Sequence, residues 1–309
     1  MSERWDTTTT GAFYEEYPFP GSRPIDQDGL IFLRMFGKSL QRHATTTPLR
    51  TMRVLDAGCG TGNTSIALAR HFPSIIVVGI DQSDASLKHA RAAAATLGVK
   101  NVSFHTRDLL KPLPRNRKFD VVLCLGVLHH LQDMNRGLMN LQNVLKYDGE
   151  LYLWLYGRYG RYLHSLNMQL LNLLRSASEP KTDPVQQVRD LIGHPGNEAM
   201  MKDLLGIMDA SALRERAFSD PVWLADQFLN PHESLLSIGQ VLRLVKRCGL
   251  AVDRIVGMDG PAAIHRLPPS LQGVFRRLSP PRRLLALDLL MKPERYFLHC
   301  RKLDSPGES

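Results

Sequence analysis

The sequence has no apolar run approaching the roughly 18 residues needed to cross a bilayer. Its start, MSERWDTTTTGAFYEE, has no apolar stretch behind a basic head of the kind that directs secretion. These two absences set the expectation of a soluble, cytoplasmic chain. Cysteine is scarce as well: Cys59, Cys124, Cys248 and Cys300 form neither a CxxC pair nor a metal-ligand cluster, so a disulfide scaffold and a structural zinc site are excluded and free thiols are expected. Acid is also in short supply. Thirty-nine Lys and Arg against thirty Asp and Glu leave a net charge of +9, a balance that fits an acidic partner such as nucleic acid or simply a solvated basic surface. Only residues 276–295 concentrate the excess.

What is present is an ordinary globular composition, 43% hydrophobic and 22% charged over 309 residues, enough for one catalytic domain with additions. Residues 1–50, rich in Thr, Pro, Gly and aromatics with a helical candidate at 30–43, read as an arm or lid. Short apolar runs then alternate with amphipathic stretches over 51–156, as in a parallel sheet covered on both faces. Strands are expected at 53–56, 75–80, 102–105, 120–125 and 150–156, and helices at 63–71, 84–97 and 136–146. The alternation stops after Tyr156. Residues 157–235 are too long for a simple connection and read as a helical insertion covering a substrate. Over 236–309 the sheet resumes with a helix at 238–248, a strand at 251–256 and a last strand RYFLHCRK, interrupted by a basic insertion at 261–293.

The strongest local pattern is VLDAGCGTGNTS, where an apolar strand ends at Asp56 and Gly58, Gly60 and Gly62 precede a helix. Glycines let the backbone turn sharply and approach a ligand without a Cβ in the way. A G-x-G-x-x-G turn binds a dinucleotide pyrophosphate, but here the spacing is G-x-G-x-G with an acid two residues before the first glycine. That carboxylate repels a pyrophosphate and suits S-adenosylmethionine, which carries an ammonium and a sulfonium and no phosphate. Nineteen residues after Gly62, Asp81 ends the second strand, VVGID, where an acid can accept both ribose hydroxyls; NAD would use it too. The third strand ends in FHTRDLL, so Asp108 can accept from an adenine amine while Leu109 covers the ring.

Over roughly residues 50–156, the run from Asp56 to Gly62, Asp81, Asp108, FDVVLCLGVLHHL and VLKYDGELYLWLY resembles the class I methyltransferase family. The resemblance implies a doubly wound, mostly parallel seven-stranded α/β sheet whose last strand runs antiparallel. It also implies methyl transfer from S-adenosylmethionine, with S-adenosylhomocysteine as product. Gly58, Cys59 and Gly60 then contact the methionyl part with Asp56 supporting the loop, Asp81 takes ribose and Asp108 adenine, and Gln82, Arg107, Leu109 and Leu125 join the cofactor set. Where the family usually has Lys-Pro-Gly-Gly before the fifth strand, this chain reads Lys146, Tyr147, Asp148, Gly149, which keeps a turn but changes its residues.

The segment after the fourth strand, Gly126 to Leu131, faces the methyl group in this fold. It holds no Asn-Pro-Pro-Tyr or Asp-Pro-Pro-Tyr, which argues against an adenine amine or glutamine amide as acceptor, and no Pro-Cys pair, which argues against 5-methylcytosine formation. His130, His129 and His232 are candidate general bases because imidazole titrates near neutral pH; they could equally shape a pocket or cap a helix. FYEEYPFPG sets Tyr14, Tyr17 and Phe19 among two prolines, as a stiff flap or as core packing. Arg158 and Arg161 follow the fifth strand on the crevice side, where either could pair with an acidic substrate or lie on a solvated surface. The insertion after the fifth strand favours, by resemblance, a small-molecule acceptor, a metabolite or natural product. A protein or RNA acceptor and a non-catalytic cofactor-binding scaffold stand as alternatives.

Overall fold

Strand β1 (Arg53–Ala57) is buried from Val54 onward and β4 (Phe119–Leu125) as far as Cys124, the pattern of strands with both faces covered. With β2 (Ile76–Asp81), β3 (Val102–Thr106), β5 (Leu145–Tyr156), β6 (Leu250–Ile255) and β7 (Arg295–Lys302) they form a seven-stranded sheet in the order β3-β2-β1-β4-β5-β7-β6. The first five strands pair in parallel, and β7 runs antiparallel between β5 and β6. The computed structural model describes residues 10–21, 52–114, 116, 118–177, 182–205, 210–258 and 264–303. The helix expected at 30–43 lies outside the described residues. Among the described residues no helix is long and apolar enough to cross a membrane.

Helices α2 (Asn63–His71), α3 (Asp84–Thr96), α4 (Met134–Val144) and α10 (Ile238–Arg247) flank the sheet. Three of them start where the sequence offers a cap: Ser83 accepts from the Ser86 N–H, Asp133 from the Arg136 N–H, and Ser237 with Gln240 forms a capping box. Strand β5 begins five residues before the expected start at 150, replacing the expected turn at Lys146 to Gly149. Leu145 pairs with Phe119, the Lys146 ammonium reaches the Asp120 carboxylate at 2.6 Å, and the register shifts between Phe119 and Val121. The irregular residues are absorbed as a bulge in a longer strand.

Between β5 and β6 lie α5 (Tyr162–Ser176), α6 (Pro184–Gly193), α7 (Glu198–Leu205), α8 (Ala210–Ser219) and α9 (Pro221–Phe228). They build an apolar core of their own around Leu171, Val188, Trp223, Leu224 and Phe228, and α1 (Thr10–Glu16) adds Phe13 to it. Arm and insertion therefore share one core, distinct from the sheet core. Helices α11 (Pro269–Arg277) and α12 (Pro280–Met291) precede β7 and pack Phe275 and Leu287 into the sheet core.

Two topological facts place a site. The chain's winding reverses between β1 and β4, which opens a crevice at the C-terminal ends of the parallel strands. Because β7 is antiparallel, its first residue, Arg295, pairs with Tyr156, the last residue of β5, and reaches the same rim.

The insertion is fastened internally by His164 on α5, which is fully buried and donates from Nε2 to the Gln227 carbonyl at 2.9 Å. Burial, followed by the nearby Arg161 charge, lowers its pKa to about 3. An unfolded histidine titrates near 6.5, so the stability this neutral ring supports is complete above about pH 6.5 and is lost as pH falls toward 3. We expect His164→Gln to be less stable than wild type at pH 7.5, with the gap narrowing by roughly 1–2 kcal/mol at pH 5. Denaturant unfolding at both pH values checks this, and an unchanged gap would contradict it.

Candidate active site

The crevice is built first from glycine. Gly58 (φ 75°) and Gly60 (φ 53°) take left-handed conformations that favour glycine. A Cβ on Gly58 would stand 2.4 Å from Val127, and one on Gly60 would stand 2.2 Å from the Phe19 carbonyl oxygen. The loop is thus pressed between the segment after β4 and the N-terminal arm. Asp81, at the end of β2, holds the loop by accepting from the Gly60 N–H at 2.8 Å and the Ser83 N–H at 2.9 Å. Burial raises its pKa, but these backbone donors favour the ionised form.

The arm docks on this frame. The Glu15 carboxylate accepts from the Asp84 N–H at the start of α3, where a negative charge is favoured, and Ser83 donates to the Tyr14 carbonyl at 3.1 Å. Thr61 donates its N–H to Phe19, and Thr10 its hydroxyl to the His130 carbonyl, both at 3.0 Å. The segment expected as a stiff flap or as core packing is in part a helix, α1, which ends before Pro18, and its Phe13, Tyr14, Tyr17 and Phe19 pack with the core of the insertion.

One cavity runs over this frame. Gly58, Gly60, Asp81, Gln82, Arg107, Leu109 and Leu125 line one half, and Tyr14, His130, Trp154, Tyr156 and Arg161 line the other. Ten of the residues singled out from sequence thus meet at one opening. Seven do not line it. Asp56 is buried behind the loop and accepts from the Ser65 hydroxyl at 2.5 Å, burial pushing its pKa to about 6. Cys59 packs its thiol among Ile66, Leu87, Ala90 and Phe104. Asp108 accepts from the Leu110 N–H at 2.8 Å, while its neighbours Arg107 and Leu109 line the cavity. Tyr17 packs on Phe13 with ring centroids 5.2 Å apart, and Arg158 is exposed.

The histidines separate. His129 lies in the core against Tyr156, centroids 4.1 Å apart, with neither ring nitrogen hydrogen-bonded within the protein. His130 lines the cavity, and its Nδ1 lies 2.8 Å from the His232 carbonyl oxygen. A carbonyl only accepts, so Nδ1 carries the proton and Nε2 keeps its lone pair. Burial lowers the His130 pKa, and Glu233 partly opposes this; the ring is neutral at pH 7. His232 contributes its backbone, not its ring, to this arrangement.

Sequence reasoning missed the far wall: Trp223, Asp226 and Gln227 on α9, Arg216 on α8, and Glu294 with Arg295 at the start of β7. Asp226 accepts from the Tyr14 hydroxyl at 2.8 Å, and Asn230 donates to that hydroxyl at 2.9 Å. Arg161, 2% exposed, reaches both Glu233 oxygens at 3.2 Å and the Gln227 side-chain oxygen at 3.3 Å, with its guanidinium 3.7 Å from the Tyr156 ring centre. For β7 a signal existed: an antiparallel last strand must bring its first residues to the rim. For the helices none did, because no local pattern states which face of a helix meets a distant strand end.

Residues 49–177 match the methyltransferase domain family. An uncharacterized methyltransferase of Bacillus subtilis, YcgJ, is 31% identical over 141 residues, 45% of this chain and 53% of that protein. A ubiquinone biosynthesis O-methyltransferase of Coxiella burnetii is 32% identical over 104 residues, 34% of this chain and 43% of that protein. The chain thus spans about half the length, or less, of these curated relatives. The structure of PKMT2 from Rickettsia typhi in complex with AdoHcy aligns with a TM-score of 0.64 at 17% identity, over 84% of this chain and 50% of that one, a likeness of fold. The matched residues span the glycine loop, both cavity-facing strand ends and the first five strands of the sheet, so residues 49–177 carry a methyltransferase domain.

Proposed function

We propose that the chain transfers a methyl group from S-adenosylmethionine to a small-molecule acceptor, which lies between His130 and the helices of the insertion. The observation that carries this reading is the single cavity. It continues from the glycine loop and Asp81 to His130 and is walled by Tyr14 of the arm and Trp223 of α9. A walled pocket of this kind suits a small molecule better than a folded protein or an RNA strand. The four buried, unpaired cysteines fit a reducing, cytoplasmic setting.

The donor half fits S-adenosylmethionine by its chemistry. A Cβ on either loop glycine would force the loop away from Val127 or Phe19 and change its shape, and Asp81 presents a carboxylate where ribose hydroxyls can donate. Leu109 and Leu125 offer apolar walls, and the Asp108 backbone and side chain shape the turn beneath. When bound, the cofactor supplies a methyl group on a sulfonium, already a good leaving group. The protein's task is then alignment and, for a hydroxyl or protonated acceptor, removal of a proton. His130 is placed for the second task, with a lone pair on Nε2 and Nδ1–H anchored on the His232 carbonyl. The Tyr14 phenol, its pKa raised by burial and by Asp226, stays neutral and helps to close the pocket.

Calorimetric titration with S-adenosylmethionine, S-adenosylhomocysteine and NAD tests the core of this proposal. Saturable binding of the first two alone is expected, and binding of NAD alone, or of none, would sink it. Asp81→Ala removes a charged acceptor and the anchor of the Gly60 N–H, so S-adenosylmethionine affinity should fall by about 1.5–3 kcal/mol, roughly ten- to a hundredfold. Unchanged affinity in that variant would refute the placement of the ribose.

Replacing His130 with Ala should lower kcat by roughly a hundred- to ten-thousandfold on an acceptor found by screening, with cofactor affinity little altered. In wild type, kcat should be flat through neutral pH and fall only below the ordinary imidazole range near 6.5, because burial has lowered this pKa and the base works unprotonated. A pH–rate profile that bends above pH 7, or turnover unchanged in the variant, would leave His130 a wall residue.

A further inference from the structure

Three arginines line the acceptor half, and their bonding differs. Each of the three guanidinium nitrogens of Arg161 donates to Glu233 or Gln227. Arg216 lies 4.7 Å over the Trp223 ring with Nε 3.6 Å from Asp220, and its buried Nη2 makes no hydrogen bond within the protein. Arg295 lies 5.1 Å over the Trp154 ring with Nη2 3.4 Å from Glu294, and its buried Nε is unpartnered, as is Nε1 of Trp154. A guanidinium stacked on an aromatic face keeps its N–H groups in the plane, directed away from the ring.

A buried donor without an acceptor bears its full desolvation cost, and each such group calls for an explanation. The residues that carry three of them, Arg216 on α8, Trp154 on β5 and Arg295 on β7, line one cavity together with Glu294, whose buried Oε1 is an unpartnered acceptor. The arrangement is built, not incidental. Gly157 and Gly160 let the turn after β5 clasp the chain ahead of β7: a Cβ there would stand 2.1 Å from the Pro293 carbonyl oxygen and 2.4 Å from the Glu294 nitrogen. Gly157 also donates its N–H to the Glu294 carbonyl at 2.6 Å. This clasp fixes Glu294 and Arg295 at the rim.

We propose that Arg216 and Arg295, helped by the Trp154 N–H, bind the carboxylate of an acidic methyl acceptor, and that Glu294 accepts from a hydroxyl or amine of the same molecule. The assignment rests on the methyltransferase reading above. A carboxylate fits better than a phosphate dianion because each arginine already has an acid beside it, Asp220 and Glu294, so the positive charge left to offer is small.

The test uses the full chain saturated with S-adenosylhomocysteine, titrated calorimetrically with benzoate, 4-hydroxybenzoate and indole-3-acetate, each beside its carboxamide. At least one acid should bind saturably and its carboxamide at least about tenfold more weakly. The paired variant Arg216→Gln, Arg295→Gln should weaken that acid by about tenfold or more while S-adenosylhomocysteine affinity stays within about twofold, and the paired lysine variant should recover part of the loss. Should the paired glutamine variant fail to fold, Arg216→Gln alone, on a cover helix away from the sheet, carries the same expectation. Equal binding of acid and amide, acid binding indifferent to these substitutions, or no acid binding overturns the proposal, and phenyl phosphate binding where no acid does overturns the choice of carboxylate. Failure of S-adenosylhomocysteine to bind wild type, read before any acid is added, would bring down the methyltransferase reading itself.

Discussion

The half of the cavity around His130, where the acceptor is proposed to lie, hangs on one buried ion pair. Arg161 and Glu233, with side chains 3% and 6% exposed, meet through two contacts of 3.2 Å, and the guanidinium also binds Gln227 and covers the Tyr156 ring. The pair therefore joins three pieces distant in sequence: the turn after β5, helix α9, and the segment that offers the His232 carbonyl to His130. Removing one member of such a pair leaves an uncompensated buried charge, at a cost of about 3–5 kcal/mol. Here that loss would reach the orientation of His130 and the seating of α9 together.

The half around the glycine loop is held by shorter means. Its loop is pinned by backbone conformation, by the Asp81 carboxylate and by the arm's carbonyl at Phe19, all within or against the β1–β2 unit. Those constraints are local and do not depend on what the acceptor is. The half around His130 relies on contacts such as Tyr14 with Asp226, 212 residues apart, so the insertion can vary while the half around the glycine loop stays fixed. This division is a physical reason for one fold to serve different acceptors.

The same division sets what the sequence discloses. Gly58, Gly60 and Asp81 are legible because a turn with φ above zero and a strand end are local events, and the order of the sheet follows from strands alternating with helices. Side-chain direction is less legible. Asp56 and Cys59 lie on the glycine loop and Asp108 on the turn after β3, yet the first is spent on Ser65, the second on the core and the third on the Leu110 N–H. His129 and His130 are adjacent, and only the 3₁₀ turn they occupy, Leu128–His130, decides which faces the cavity. Trp223, Asp226 and Arg216 carry no local mark, since their place depends on how the insertion folds over the rim. Glu294 and Arg295 were within reach, because the antiparallel sense of RYFLHCRK dictates that its start meets the end of β5.

The strength of the base proposed at His130 is tied to the same ion pair. Burial opposes its protonation, and Arg161 and His232 oppose it further, whereas Glu233 and the His232 carbonyl favour it. A proton taken from an acceptor would thus settle next to a carboxylate whose charge is already shared with Arg161. Burial outweighs the pull of Glu233, so the ring favours its neutral, proton-accepting form. A base of this kind returns to its neutral state once the product and its proton can leave. The ion pair that holds this half of the cavity together therefore also modulates a basicity that burial sets first.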